Sequence, residues 1–157
     1  MYSFFPLVTV LLARGLGFID SIYLKTQKER VIPYIACGIY YFWMCYVLRN
    51  QPQFSKEVVQ LSMAIFIASS IGLLFNIYMK ISMHSISMGI LLAFMSLLAF
   101  TQAGSYTVYL SVAILVAGLV CTARFIVSDH SAREIYMGLF VGGLSQVLAV
   151  WADGILP

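Results

Sequence analysis

The chain has 157 residues, 62% of them hydrophobic and 10% charged, with a formal net charge of +3. A soluble domain carries about a quarter charged residues and about half apolar ones, so this composition excludes an ordinary water-soluble globule and places the chain in a bilayer. The small, dispersed positive balance, with no Lys/Arg-rich run among aromatics, excludes a nucleic-acid partner.

The opening residues, MYSFFPLVTVLLARG, lack the basic start and the small-residue cleavage pattern of a secretory signal. Ser3 to Tyr23 is either a span interrupted by Arg14 and Asp20, or a short helix ending near Ala13 that leads through an interfacial stretch to KTQKER. Five further stretches approach the length of a spanning helix, about 20 mainly apolar residues. They are Ile32 to Leu48, Val58 to Met79, Ser85 to Phe100, Tyr106 to Ala123, and Ile135 to Trp151. NQPQFSKE separates the first two, TQAGS turns the chain before Tyr106, and SDHSARE precedes the last. The expected fold is all-α: one integral membrane domain over residues 1–157, a bundle of about six transmembrane helices.

Several features have plain packing explanations. Gly138 and Gly142 form a G-x-x-x-G pair that lets helix backbones approach. The run IYYFWMCY, residues 39–46, suits packing and interface anchoring. Cys37, Cys45 and Cys121 are odd in number, widely spaced and inside apolar runs, which argues for packing over a disulfide frame or a zinc site. If connections alternate sides, the loops Lys25 to Arg30, Lys80 to His84 and Arg124 to Glu134 share one membrane face, and with them both histidines of the chain.

The stretch ARFIVSDHSARE, residues 123–134, gathers Arg124, Asp129, His130, Arg133 and Glu134. One charge at the bilayer centre costs about 2.5–3.5 kcal/mol on insertion scales, so these groups belong at a helix end, in water, or facing one another. A solvated loop would explain the charges alone. His130 and Glu134, however, are four residues apart and share a face at a helix start. The carboxylate can hold one imidazole nitrogen and leave the other as a nucleophile.

His84 lies in NIYMKISMHSISMG, residues 76–89. If a helix runs through, Asn76, Lys80 and His84 share a face. If it breaks at Ile81, Ser82 and Ser85 lie near the amino end of the next helix, a natural anion site. Two histidines, an orienting carboxylate, Lys80 and Arg124 suit phosphoryl transfer without a metal or other cofactor. Asp129, Glu134 and Glu29 are too few carboxylates to supply a two-metal site.

Arg124-x5-His130-x3-Glu134, preceded by Ala123, resembles the third signature of the type 2 phosphatidic acid phosphatase superfamily, Ser-Arg-x5-His-x3-Asp, at every interval. Ser82-Met83-His84 looks like the second, Pro-Ser-Gly-His, at the start of the fourth of six helices. A small bacterial subgroup is similar in having Lys-Ile-Ser-x-His there, and an Arg-x-x-Pro, here Arg30 to Pro33, before an aromatic-rich helix. The chain departs from the family pattern at Ala123 for Ser, Met83 for Gly and Glu134 for Asp, and the first signature, Lys-x6-Arg-Pro, is absent before the third helix ends.

The resemblance implies a phosphatidic acid phosphatase type 2/haloperoxidase-like core that cleaves a lipid phosphate monoester or diphosphate through a phosphohistidine. His130 would be the nucleophile, Glu134 its orienter, His84 the general acid, and Arg124 the phosphate clamp. Ser82 would belong to the phosphate cradle, with Lys80 and Arg30 standing in for the missing cations. It also implies a bacterial inner membrane and a site on its outer face, whereas the positive-inside rule places the face bearing Lys25, Lys28 and Arg30 in the cytoplasm. The expected partners are the bilayer and a membrane lipid phosphate, with self-association left open. The missing first signature motivates an alternative, a catalytically inactive relative that binds lipid or scaffolds a membrane complex. A small transporter is a weaker third reading, because transporters favour internal repeats and polar groups near the midplane. Asn76 and Gln146 are the nearest such groups, and single interhelical hydrogen bonds are expected to account for them.

Overall fold

The computed structural model describes residues 4–18, 27–102, 106–127 and 130–155. All the regular structure among these residues is α-helical: α1 Phe4–Gly15, α2 Gln27–Arg49, α3 Lys56–Tyr78, α4 Met83–Thr101, α5 Thr107–Val127 and α6 Ala132–Ile155. From Val31 onward, five helices are long and apolar enough to cross a membrane. The five expected spans lie within these helices, except that Met79 falls just after α3 and Tyr106 just before α5.

The first segment takes the shorter of its two readings. α1 has 12 residues, which at 1.5 Å per residue is too short for a hydrocarbon core of about 30 Å. A glycine cap ends it. Gly17 has φ 76, its N–H donates to Arg14 O (3.1 Å), and Phe18 N–H donates to Ala13 O (2.9 Å), the paired bonds of a Schellman motif. Asp20, Tyr23 and Lys25 lie outside the described residues.

Between α3 and α4 the helix breaks. Met79 is extended (φ −148, ψ 152) and closes α3 by donating to Phe75 O. Residues 79–82 are non-helical, so Asn76, Lys80 and His84 do not line one continuous helix face. Ser82 then opens α4 as its N-cap, its hydroxyl accepting from Ser85 N–H at 3.4 Å.

The chain divides into two compact units, Met1–Lys80 and Ile81–Pro157. In the first, α2 packs along α3, and α1 packs on α2. Tyr34, Cys37, Cys45 and Leu48 are buried on α2, as are Val59, Met63, Ala64 and Ala68 on α3, and the rings of Phe42 and Phe66 meet at 5.5 Å.

In the second unit, α4 and α6 form the main seam, α5 packs on α4, and α5 barely touches α6. Glycine makes the seam close. A methyl on Gly89 would overlap the Leu139 carbonyl, and one on Gly142 would overlap the Ile86 carbonyl. Lipid tails are as apolar as the side chains, so helices here associate through close backbone approach rather than through a hydrophobic driving force. Gln146 is buried on α6, and neither of its amide atoms finds a hydrogen-bond partner among the described residues. The interhelical bond expected for it is therefore not made. α5 buries only Ala113 and Ala117, while Val112, Leu115 and Leu119 are more than half exposed.

Candidate functional site

At the start of α6, four residues hold one another. The Ser131 carbonyl accepts from Ile135 N–H at 3.2 Å, which makes Ser131 the N-cap. Its hydroxyl accepts from Glu134 N–H (3.4 Å), and its own N–H donates to Glu134 Oε2 (2.9 Å). This reciprocal pair is a capping box. The same Oε2 lies 3.2 Å from His130 Nδ1. An ionised carboxylate only accepts, so this contact places the imidazole proton on Nδ1 and the lone pair of the neutral ring on Nε2. The side chains of His130 and Glu134 are only 9% and 18% exposed, which shields the contact from bulk water.

A second pair joins α5 to α4. Arg124, in the last turn of α5, donates from Nη2 to His84 Nε2 at 2.7 Å, across 40 residues of sequence. A guanidinium has donors only, so His84 Nε2 is unprotonated in this arrangement. Arg124 also sits where the α5 dipole is negative, and His84 sits at the positive end of α4.

Backbone ties these pairs to one end of the unit. Ser82 N–H donates to Glu134 O at 3.5 Å, linking the start of α4 to the start of α6. The ring of Phe125, next to Arg124, meets that of Tyr136 edge-on at 6.4 Å. Of the candidate site residues, His84, Arg124, His130, Glu134 and Ser82 are thus gathered at the meeting of three helix ends. Ser82 is fully buried, and its hydroxyl and N–H are engaged in holding those ends together. Lys80 is half-buried in the short break after α3 and belongs to the other unit. Arg30 lies in the first turn of α2, but its side chain lies outside the described residues, as does Asp129. Arg133 is exposed.

Ser131 is the residue that the sequence reading passed over. Its signal was present: Ser-Ala-Arg-Glu, residues 131–134, is the S-x-x-E pattern of a capping box ahead of an apolar run. Chemically, the cluster offers a buried imidazole oriented by a carboxylate, a second imidazole touching a guanidinium, and two helix amino ends whose dipoles favour an anion. Comparison of the chain with family models, with curated proteins and with solved structures gives no match.

Proposed function

We propose that the chain is an integral-membrane phosphatase that hydrolyses a lipid phosphate monoester or diphosphate through a phosphohistidine. The observation that carries this reading is the contact of His130 Nδ1 with Glu134 Oε2, with a second histidine held by an arginine at the start of a helix whose cap is bonded to Glu134 O. His130 Nε2 attacks phosphorus, a P–N bond forms, and the P–O bond to the lipid breaks. His84 gives the leaving oxygen a proton. It then takes one from the water that splits the phosphohistidine, releasing inorganic phosphate and restoring His130.

The Arg124–His84 contact sets an order on these events. Because Nε2 of His84 accepts from the guanidinium, it cannot also carry the proton that the leaving group needs. A substrate phosphate draws Arg124 onto its oxygens, and the freed imidazole takes a proton from solvent. The apolar tail of the substrate stays in the bilayer, beside helices whose outer faces are largely exposed hydrocarbon.

The test is phosphate release by purified protein from phosphatidate, phosphatidylglycerol phosphate and prenyl diphosphate, with and without chelator. Release that survives chelator and is abolished in His130→Ala is the expected result. No release by the wild type, or equal release by the variant, overturns the reading.

Two observations favour the inactive-relative alternative. The capping box explains Glu134 without catalysis, and Arg124 is already engaged by His84. That reading expects stoichiometric co-purification with a membrane partner and no phosphate on His130.

A further inference from the structure

We propose that Ser131 is a positioning residue for His130, acting through Glu134; the kinetic part of this claim rests on the phosphatase reading. Three contacts carry it. Ser131 N–H donates to Glu134 Oε2 at 2.9 Å, Ser131 Oγ accepts from Glu134 N–H at 3.4 Å, and the same Oε2 meets His130 Nδ1 at 3.2 Å. A carboxylate that only touched a histidine could swing about its side-chain torsions. Here the serine hydroxyl fixes the backbone of Glu134 at the third position of α6, while the serine N–H fixes the carboxylate oxygen. The imidazole therefore meets an acceptor held at both ends of its side chain, and His130 Nε2 has a defined direction.

This arrangement also accounts for glutamate at 134. A capping box uses Glu or Gln at the third helical position because that side chain reaches back to the N-cap N–H. An aspartate arm, one methylene shorter, would hold the histidine or close the box, not both. The longer arm lets one oxygen do both.

The chain has two histidines, so full-length protein with ¹⁵N-labelled histidine in lipid nanodiscs gives ring signals that a His84→Asn control assigns. In the wild type, neutral His130 is expected almost wholly as the Nδ1–H tautomer. Ser131→Ala and Ser131→Gly are expected to give a mixture of tautomers, and Ser131→Thr to restore the wild-type state. Glycine is included because it is itself among the favoured N-cap residues, so that variant folds if alanine does not. On the lipid substrate that the wild type cleaves, Ser131→Ala should lower kcat about 10–100-fold, the scale of a misplaced reacting group, with KM little changed. In a Glu134→Asp background, where the shorter arm no longer couples the box to the histidine, the same change should have little further effect.

An unchanged tautomer ratio in folded Ser131→Ala and Ser131→Gly overturns the proposal, as does an undiminished kcat in an active protein. If the wild type releases no phosphate, the phosphatase reading fails, and the tautomer measurement still decides whether Ser131 positions His130.

Discussion

Arg124 stands between the two roles that its surroundings permit, a brace on His84 and a grip on phosphate. Its Nη2 is 2.7 Å from His84 Nε2, and a charged hydrogen bond of this kind contributes about 1.5–3 kcal/mol. If the guanidinium transfers to substrate, removing it costs binding. Arg124→Ala is then expected to raise KM for a lipid phosphate about 10–100-fold, the equivalent of that energy at about 1.4 kcal/mol per tenfold. Arg124→Lys should recover only part of the loss, because lysine keeps the charge without the planar fork. Steady-state kinetics on a short-chain substrate in detergent checks this; an unchanged KM in Arg124→Ala would leave the arginine as a brace alone. At this scale the sequence was uneven in what it disclosed. The His130–Glu134 pairing was legible from its spacing of four. His130 nevertheless lies before the N-cap and outside α6, so the capping turn rather than a shared helix face brings the two together. The Arg124–His84 contact crosses 40 residues, and spacing alone could place the two groups only at the same end. Ser131 carries no charge, and its capping pattern rests on a neutral hydroxyl that does not stand out among the ionisable residues around it.

Helix boundaries followed composition closely, since each span is a long apolar run closed by polar or turn-forming residues. What the runs do not disclose is which faces meet. The hydrophobic residues of α4, α5 and α6 surround each helix, so periodicity gives no inward stripe. The small residues do. Gly138 and Gly142 were visible as a pair, yet Gly89 on α4, which approaches the backbone of Leu139 and Gly143, stood alone in the sequence. In the seam, a Cβ on Gly138 would lie 2.7 Å from Ser85 Cβ and 2.9 Å from Ser82 O. A methyl on Gly142 meets the backbone of Ile86 and Ile90, which cannot move without parting the helices. Gly142→Ala is therefore expected to destabilise the protein by about 1–3 kcal/mol, the usual range for overpacking. Gly118→Ala is its control. That position on α5 has no atom near the site of an added methyl, so its thermal midpoint in detergent should equal or exceed the wild type. Equal midpoints for wild type and Gly142→Ala would show that the α4–α6 seam does not depend on this close backbone approach. The seam also bears on the site, because it presses the start of α4 against the start of α6.

For the molecule as a whole, the decisive property is where the charges stop. The five helices long and apolar enough to span a membrane expose large apolar side chains along their lengths, whereas His84, Arg124, His130 and Glu134 cluster at helix ends. This is the distribution that avoids an insertion penalty of about 2.5–3.5 kcal/mol for each charge at mid-bilayer. The helical, multi-span character could be read from composition. The division into two compact units could not, because both halves are equally apolar and the break at residues 79–82 differs little from any short loop. The side of the membrane that the site faces follows from two opposed rules. In the second unit, the lysine and arginine residues are Arg124 and Arg133 alone, and Arg124 is bound to His84. The positive-inside count there thus rests on little more than Arg133, so it is set against the proposed outer-face site by direct labelling. Exposed Gln102 and Arg133 flank α5 at its two ends, so a cysteine at each reports opposite sides if α5 spans. In a variant with Cys37, Cys45 and Cys121 replaced, a membrane-impermeant maleimide applied to intact bacterial cells should label Arg133→Cys. It should reach Gln102→Cys only after the membrane is permeabilised. The reverse pattern would turn the site to the cytoplasm and its substrate to the inner leaflet, and equal labelling of both would mean that α5 does not cross.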